Sequence, residues 1–303
     1  MKPELFVSKI GVFTIFFING IAIAPFAQTS EAERAAGFKT NLLIQLFNFG
    51  MIPVITKILA PMYPDPMFRD GLLVLACLPC TINICVAQTV SAGANVGTAI
   101  FNAIVANVIG VFMTPLLAIW MLGAGKGVSL LSTLNKLGSV VILPLICGQI
   151  ARQTPIGGVA QRISKYTRTL SSCLLLAIVY NVFSDTFVKG IGVKSSALAS
   201  LALSMPAAYL TFNLMFWHLS KKLVPGLDAS TRSAALLCSS QKTLAFGIPF
   251  IKTALGTRPD IAYILAPLLM YAPAQLLLGS SLLVPILRKW MIKQQDVEDG
   301  GGI

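Results

Sequence analysis

Residues 239–249 read SSQKTLAFGIP, preceded by AALLC at 234–238 and followed by FIKTAL at 250–255. The run is apolar enough for hydrocarbon, yet Lys242 stands near its middle beside Ser239, Ser240, Gln241 and Thr243. A lysine at the centre of a membrane helix costs roughly 2.5–3.5 kcal/mol by insertion scales. Pro249 lacks a backbone donor, and irregular backbone at membrane depth persists only where protein buries it or it lines a cavity. The stretch therefore predicts an interrupted membrane helix whose interruption is polar for a functional reason.

The rest of the chain agrees with a membrane setting. Of 303 residues, 55% are hydrophobic and only 11% charged, against about 25% charged in soluble domains; the mean hydropathy is +0.79. Apolar spans fall near 5–26, 38–61, 68–91, 96–122, 128–150, 167–188, 196–219, 230–253 and 259–287, each long enough to cross ~30 Å at 1.5 Å per residue. The expected architecture is an all-α polytopic membrane protein with nine helices. The net charge of +12 does not indicate nucleic acid. With the spans as drawn, twelve of the 23 Lys and Arg residues fall on one side, among them Arg152, Arg162, Lys165, Lys221, Lys222, Arg232 and Lys289. By the positive-inside rule that side, with the carboxyl terminus, is cytoplasmic. The amino terminus then lies outside with nothing before Met1 to translocate it, and residues 1–30 lack the features of a cleavable signal. A missing upstream helix is the simpler expectation. The six cysteines all lie within spans, where thiols act as small hydrophobes. CLPC at 77–80 has no second pair or histidine nearby to suggest a metal.

The basic stretch 151–166, ARQTPIGGVAQRISKY, divides the chain into matching halves. Before it, Pro79 interrupts a span and is followed by Thr81, Asn83, Gln88 and Thr89; after it comes the cluster around Lys242. Each interrupted span leads by a short turn into a long helix with a proline-containing tail, TPLL at 114–117 or VPIL at 284–287. Interruptions at corresponding places in two halves point to a transporter binding site. The expected units are a first repeat over 1–150, a basic cytoplasmic linker over 151–166, the remainder of a second repeat over 167–288 (its first helix being 128–150) and a cytoplasmic tail over 289–303.

GLLVLACLP (71–79), GTAIFNAIVANVIGVFMTPLL (97–117), LPLICGQIAR (143–152), SSQKTLAFGIPFIK (239–252) and LLMYAPAQLLLGSSLLVPILRKWM (268–291) resemble sodium/bile acid cotransporter-like proteins, the member 7 type of solute carrier family 10 in the bile acid:sodium symporter superfamily. The resemblance implies inverted repeats with two crossing broken helices, of which the family's first helix has no counterpart here. It places Asn48, in FNFGMIP (47–53), where sodium-binding relatives have a glutamine, and Gln241 at the glutamine of the second broken helix. Thr81 and Asn83 fall in the first broken helix, Thr98 and Asn102 where relatives place hydroxyl ligands. All supply oxygens, as a hard cation needs. The relatives' glutamate, one turn before that glutamine, is absent from ALLCSSQ (235–241), and Lys242 follows the glutamine. An ammonium at ~4 Å from a sodium ion is repelled by about 4 kcal/mol at an effective dielectric of ~20. Lys242 is therefore expected to occupy the cation's place, donating to Asn48, Thr98 or backbone carbonyls, or to receive an anionic substrate.

Thr243 completes the cluster, and Tyr271 and Gln275 either line a cavity or bond across helices. His218, beside Lys221 and Lys222, reads as interfacial, and Asp185 as the outer end of a span. Three functions stay open: secondary transport of an organic anion or small amphipathic solute, negative regulation of cellular calcium entry (implied by the resemblance alone), and an intramembrane hydrolase using Ser239 or Ser240 with Lys242. The partners expected are a small solute and the lipid bilayer of a plasma or secretory-pathway membrane. No cofactor is expected beyond the sodium the resemblance implies.

Overall fold

A computed structural model describes residues 3–22, 37–63, 66–123, 143–155, 195–255 and 260–300, with isolated residues between 135 and 184. Every element among them is helical: α1 Pro3–Ala22, α2 Gly37–Leu46, α3 Ile52–Leu59, α4 Pro66–Ala76, α5 Ile82–Ala92, α6 Val96–Leu122, α7 Leu143–Arg152, α8 Ser195–Leu223, α9 Ala229–Ser239, α10 Leu244–Leu255, α11 Ile261–Leu278 and α12 Val284–Gly300. A π turn, Phe47–Met51, joins α2 to α3, and another, Gly279–Leu283, joins α11 to α12. Among the described residues, five stretches are long and apolar enough to cross a membrane: Gly37–Met62, Val96–Leu122, Ser196–Leu223, Ala229–Lys252 and Ile261–Asp296. Most of the expected spans 167–188 and 128–150, half of the linker, and Asp185 fall outside the described residues. Beyond residue 288 the chain continues as helix to Gly300.

Both interrupted helices are present. The first runs α4, an extended stretch over 77–81 holding Pro79, then α5; the second runs α9, a break over 240–243, then α10. The second break falls on the polar cluster, not on Pro249, which lies inside α10. The breaks touch: Thr243 N donates to Pro79 O at 3.0 Å.

Small residues allow the close approach. A methyl at Gly110 would stand 2.9 Å from the Pro79 ring, and one at Gly247 would meet Leu78 and Leu268. Gly71 of α4 faces backbone: a Cβ there would lie 2.5 Å from the backbone oxygen of Ile264 and 2.9 Å from Pro267 of α11. Backbone cannot rotate away as a side chain can, and overpacking of this kind costs 1–3 kcal/mol or more. Gly71→Ala is expected to lower the melting temperature by several degrees, about 2–4 °C per kcal/mol. Gly50→Ala, whose methyl would meet nothing within 4 Å, should leave it unchanged; thermal melts of the two purified variants make the comparison.

The helix ends lie on two rims. At one, Lys57 donates to Trp120 O at 2.8 Å and sits 3.6 Å above the Trp120 ring. At the other, the starts of α6 and α9 meet through Asn95 N and Ser230 O, and the Trp217 and Trp290 rings pack edge to face at 4.7 Å. Tryptophan at both ends is the pattern of a membrane-crossing bundle. Arg232, placed above among the basic residues of the cytoplasmic side, is buried in the first turn of α9. Its guanidinium donates to the carbonyls of Val224, Pro225 and Leu227, binding the loop after α8. His218 is exposed near the end of α8, as an interfacial residue would be.

Candidate functional site at the helix crossing

The crossing begins with a vacancy in a helix. In the π turn, Ile52 N bonds Phe47 O, five residues back. In an α-helix it would bond Asn48 O; the next residue, Pro53, has no N–H to offer instead. The Asn48 carbonyl is thereby freed from its own helix and points to the crossing. A few ångströms away α4 stops, leaving carbonyls beyond its last turn without helical donors at the negative end of the helix dipole.

Lys242 fills this place. Its Nζ lies 3.2 Å from Asn48 O, 2.5 Å from Asn48 Oδ1, 3.0 Å from Ala76 O and 2.9 Å from Leu78 O. The side chain is only 1% exposed. Three ammonium protons face four oxygens, so two acceptors share one proton. All four are neutral, and each charge-assisted bond contributes about 1.5–3 kcal/mol. Together with the α4 dipole, this shell offsets the cost of desolvating the ammonium. It has the composition of an alkali-cation site, in which carbonyls and half-helix ends surround a small positive charge.

The next helix holds the backbone of each break. On α11, the Gln275 amide accepts from Lys242 N at 2.9 Å and donates to Lys242 O at 2.8 Å, while Tyr271 OH donates to Ser240 O at 2.7 Å. On α6, Asn107 donates to Cys80 O at 2.9 Å and Thr114 to Cys77 O at 2.8 Å. Tyr271 and Gln275 thus bond across helices, one of the two roles open for them from sequence. Tyr271 also borders, with Lys242, Thr56 and Phe212, a small cavity of about 60 Å³.

Gln241 points away from Lys242. Its Nε2 donates to Gln88 Oε1 at 2.6 Å, and Gln88 Nε2 reaches Gln275 O and Ser280 Oγ. Thr98 and Asn102 form a separate group. Asn102 Nδ2 donates to Asn41 Oδ1 and Thr98 O, and its own Oδ1 accepts from Gln45 Nε2. The buried Thr98 hydroxyl has no partner and lies apart from the Lys242 shell. Thr81 stands half-buried at the start of α5 and makes no capping bond. Asn83 is exposed, so the structure does not bring it to the crossing. Thr243 contributes its backbone. Asn41, Gln45, Asn107, Thr114 and Ser280 were not read from the sequence as site residues; Asn107 and Thr114, seven apart on α6, carry a helical spacing that could have singled them out.

The hydrolase reading finds no dyad. Ser239 Oγ donates to Leu236 O, and the Lys242 protons are committed to the four oxygens above.

Comparison with known proteins bears on this geometry. The model of the SBF-like CPA transporter family matches residues 2–289. The chain is 32% identical over 301 residues to Sodium/bile acid cotransporter 7 of Rattus norvegicus, covering 97% of this chain and 87% of that protein. It is 31% identical to the protein of the same name in Danio rerio, covering 97% and 88%. An uncharacterized protein of Pseudomonas aeruginosa is 29% identical over 280 residues, covering 89% and 81%.

Proposed function

The chain belongs to the SBF-like CPA transporter family and is a multi-pass membrane protein of the bile acid:sodium symporter type; from that premise we propose that it moves a small amphipathic solute or organic anion without sodium. The observation that carries this reading is the ammonium of Lys242 within a shell of four oxygens. A cation tethered to the chain occupies the site but cannot be carried down a gradient, so no sodium ion is consumed per cycle. With all its protons engaged, the ammonium supports the crossing and is not the receptor for a substrate anion; the solute is received elsewhere on the surface of the two repeats. The rim carrying Lys221, Lys289 and Lys293 is taken as cytoplasmic, in a plasma or secretory-pathway membrane.

The test uses the purified protein. Its melting temperature is measured in sodium, potassium and choline chloride, and counterflow of a labelled bile acid and a panel of organic anions is followed in liposomes in the same three salts. The expected result is one melting temperature and one flux in all three. Sodium-specific stabilisation, about 2.7 kcal/mol at a hundredfold excess over Kd, or sodium-dependent flux would overturn the reading. A regulatory role in calcium entry has no observation of its own among the described residues, and measured flux separates it from transport.

A further inference from the structure

The rim formed by the ends of α8 and α12 has a feature that the crossing does not use. Trp217 and Trp290 pack at 4.7 Å, and Lys221 Nζ lies 4.5 Å above the Trp217 ring. On α12 the buried Val284, Leu287 and Met291 mark the side that faces the protein. At 100° per residue, Ile286, Lys289 and Lys293 then form one outward stripe of α12, with Trp290 and Arg288 on its two flanks; Leu282 precedes it in the π turn. Leu282 and Ile286 are 41% and 53% exposed, and Leu214, one turn before Trp217, is 58% exposed. Lys221, Lys289 and Lys293 are exposed too. Asp296 lies a further turn out from the membrane.

Reading outward, exposed aliphatics come first, Leu214 on α8 and Leu282 and Ile286 before Trp290; Lys289 is level with the indoles, and Lys221 and Lys293 lie about one turn beyond them. That is the order of acyl chain, interface and phosphate in a phospholipid. A basic loop needed only for topology has no reason to set Lys221 over an indole and Lys289 and Lys293 at the end of an exposed apolar stripe. We propose that this corner binds one anionic phospholipid, its phosphate held among Lys221, Lys289 and Lys293, its glycerol region against Trp217 and Trp290, and an acyl chain along Leu214, Ile286 and Leu282. Each lysine near a membrane surface contributes about fivefold to the enrichment of anionic lipid, so three give roughly a hundredfold at low salt. The preference falls as salt screens it.

The two tryptophans report their own occupancy. The full-length Trp120→Phe protein removes the indole at the other rim and is reconstituted in phosphatidylcholine with small fractions of brominated phosphatidylglycerol or brominated phosphatidylcholine. The brominated anionic lipid should quench emission at about a hundredfold lower mole fraction than its zwitterionic counterpart. K221Q/K289Q/K293Q in the same background should lose that preference. K222Q/R288Q, which changes two basic residues on the opposite flanks, should keep it. Equal quenching by the two lipids in the Trp120→Phe protein overturns the proposal, and so does loss of the preference in K222Q/R288Q, which would make it an effect of overall charge.

Discussion

Lys242→Ala is expected to lower the melting temperature in choline chloride by roughly 6–12 °C, and sodium is expected to recover part of the loss. The alanine leaves Asn48 O, Asn48 Oδ1, Ala76 O and Leu78 O without the ammonium they share. An unpaired buried acceptor costs about 1–3 kcal/mol. Removing the lysine also removes the expense of burying its charge, so the net is placed at about 3 kcal/mol, at 2–4 °C each. The vacated shell keeps its oxygens and the negative end of α4, which suits a small cation. Lys242→Met fills most of the stem's volume and separates packing from charge: it should melt between the wild type and the alanine variant, with little response to sodium. Should the alanine variant melt like the wild type and ignore sodium, the tethered-cation account fails.

Gln275→Leu should act on the same loop from the other side. The amide satisfies both the N–H and the C=O of Lys242, in a part of the molecule that water does not reach. Leucine has similar volume and offers neither a donor nor an acceptor. Two buried backbone groups then go unpaired, costing about 4 kcal/mol together. Hydrogen exchange followed by mass spectrometry on the peptide spanning 239–249 should show roughly thousandfold faster exchange at the break, while peptides from α8 keep their protection. Unchanged exchange would mean that the break is held by something other than Gln275.

Much of this was legible beforehand, for a physical reason. Hydrocarbon allows few ways to satisfy a backbone, so apolar runs give helices: α6 spans 96–122 as read, and α8 and α9 begin within a residue of their expected starts. The two breaks were visible because polar residues and proline at membrane depth have no cheap alternative explanation. Lys242 was expected to reach Asn48 and carbonyls, and it does. What sequence could not give was which partner each polar side chain chooses. Thr98 was a candidate for the lysine and instead sits with Asn102 and Gln45. Asn83 carries the right chemistry but faces outward. Arg232 looked like surface charge because its acceptors are loop carbonyls, and carbonyls are present at every residue and so carry no sequence signal. Pro249 was read as part of the break because a proline's effect depends on whether its neighbours replace the lost bond.

One bond between the two breaks joins main-chain atoms alone, Thr243 N to Pro79 O. Any residue type except proline supplies the donor, and any residue at all supplies the acceptor. That bond is blind to side-chain identity, whereas the reach of Lys242 Nζ to Leu78 O is not. Each half can carry different residues, CLPCT in one and SSQKT in the other, and keep this main-chain bond. Selection is left free to write ion chemistry into one strand of the crossing while the other stays apolar.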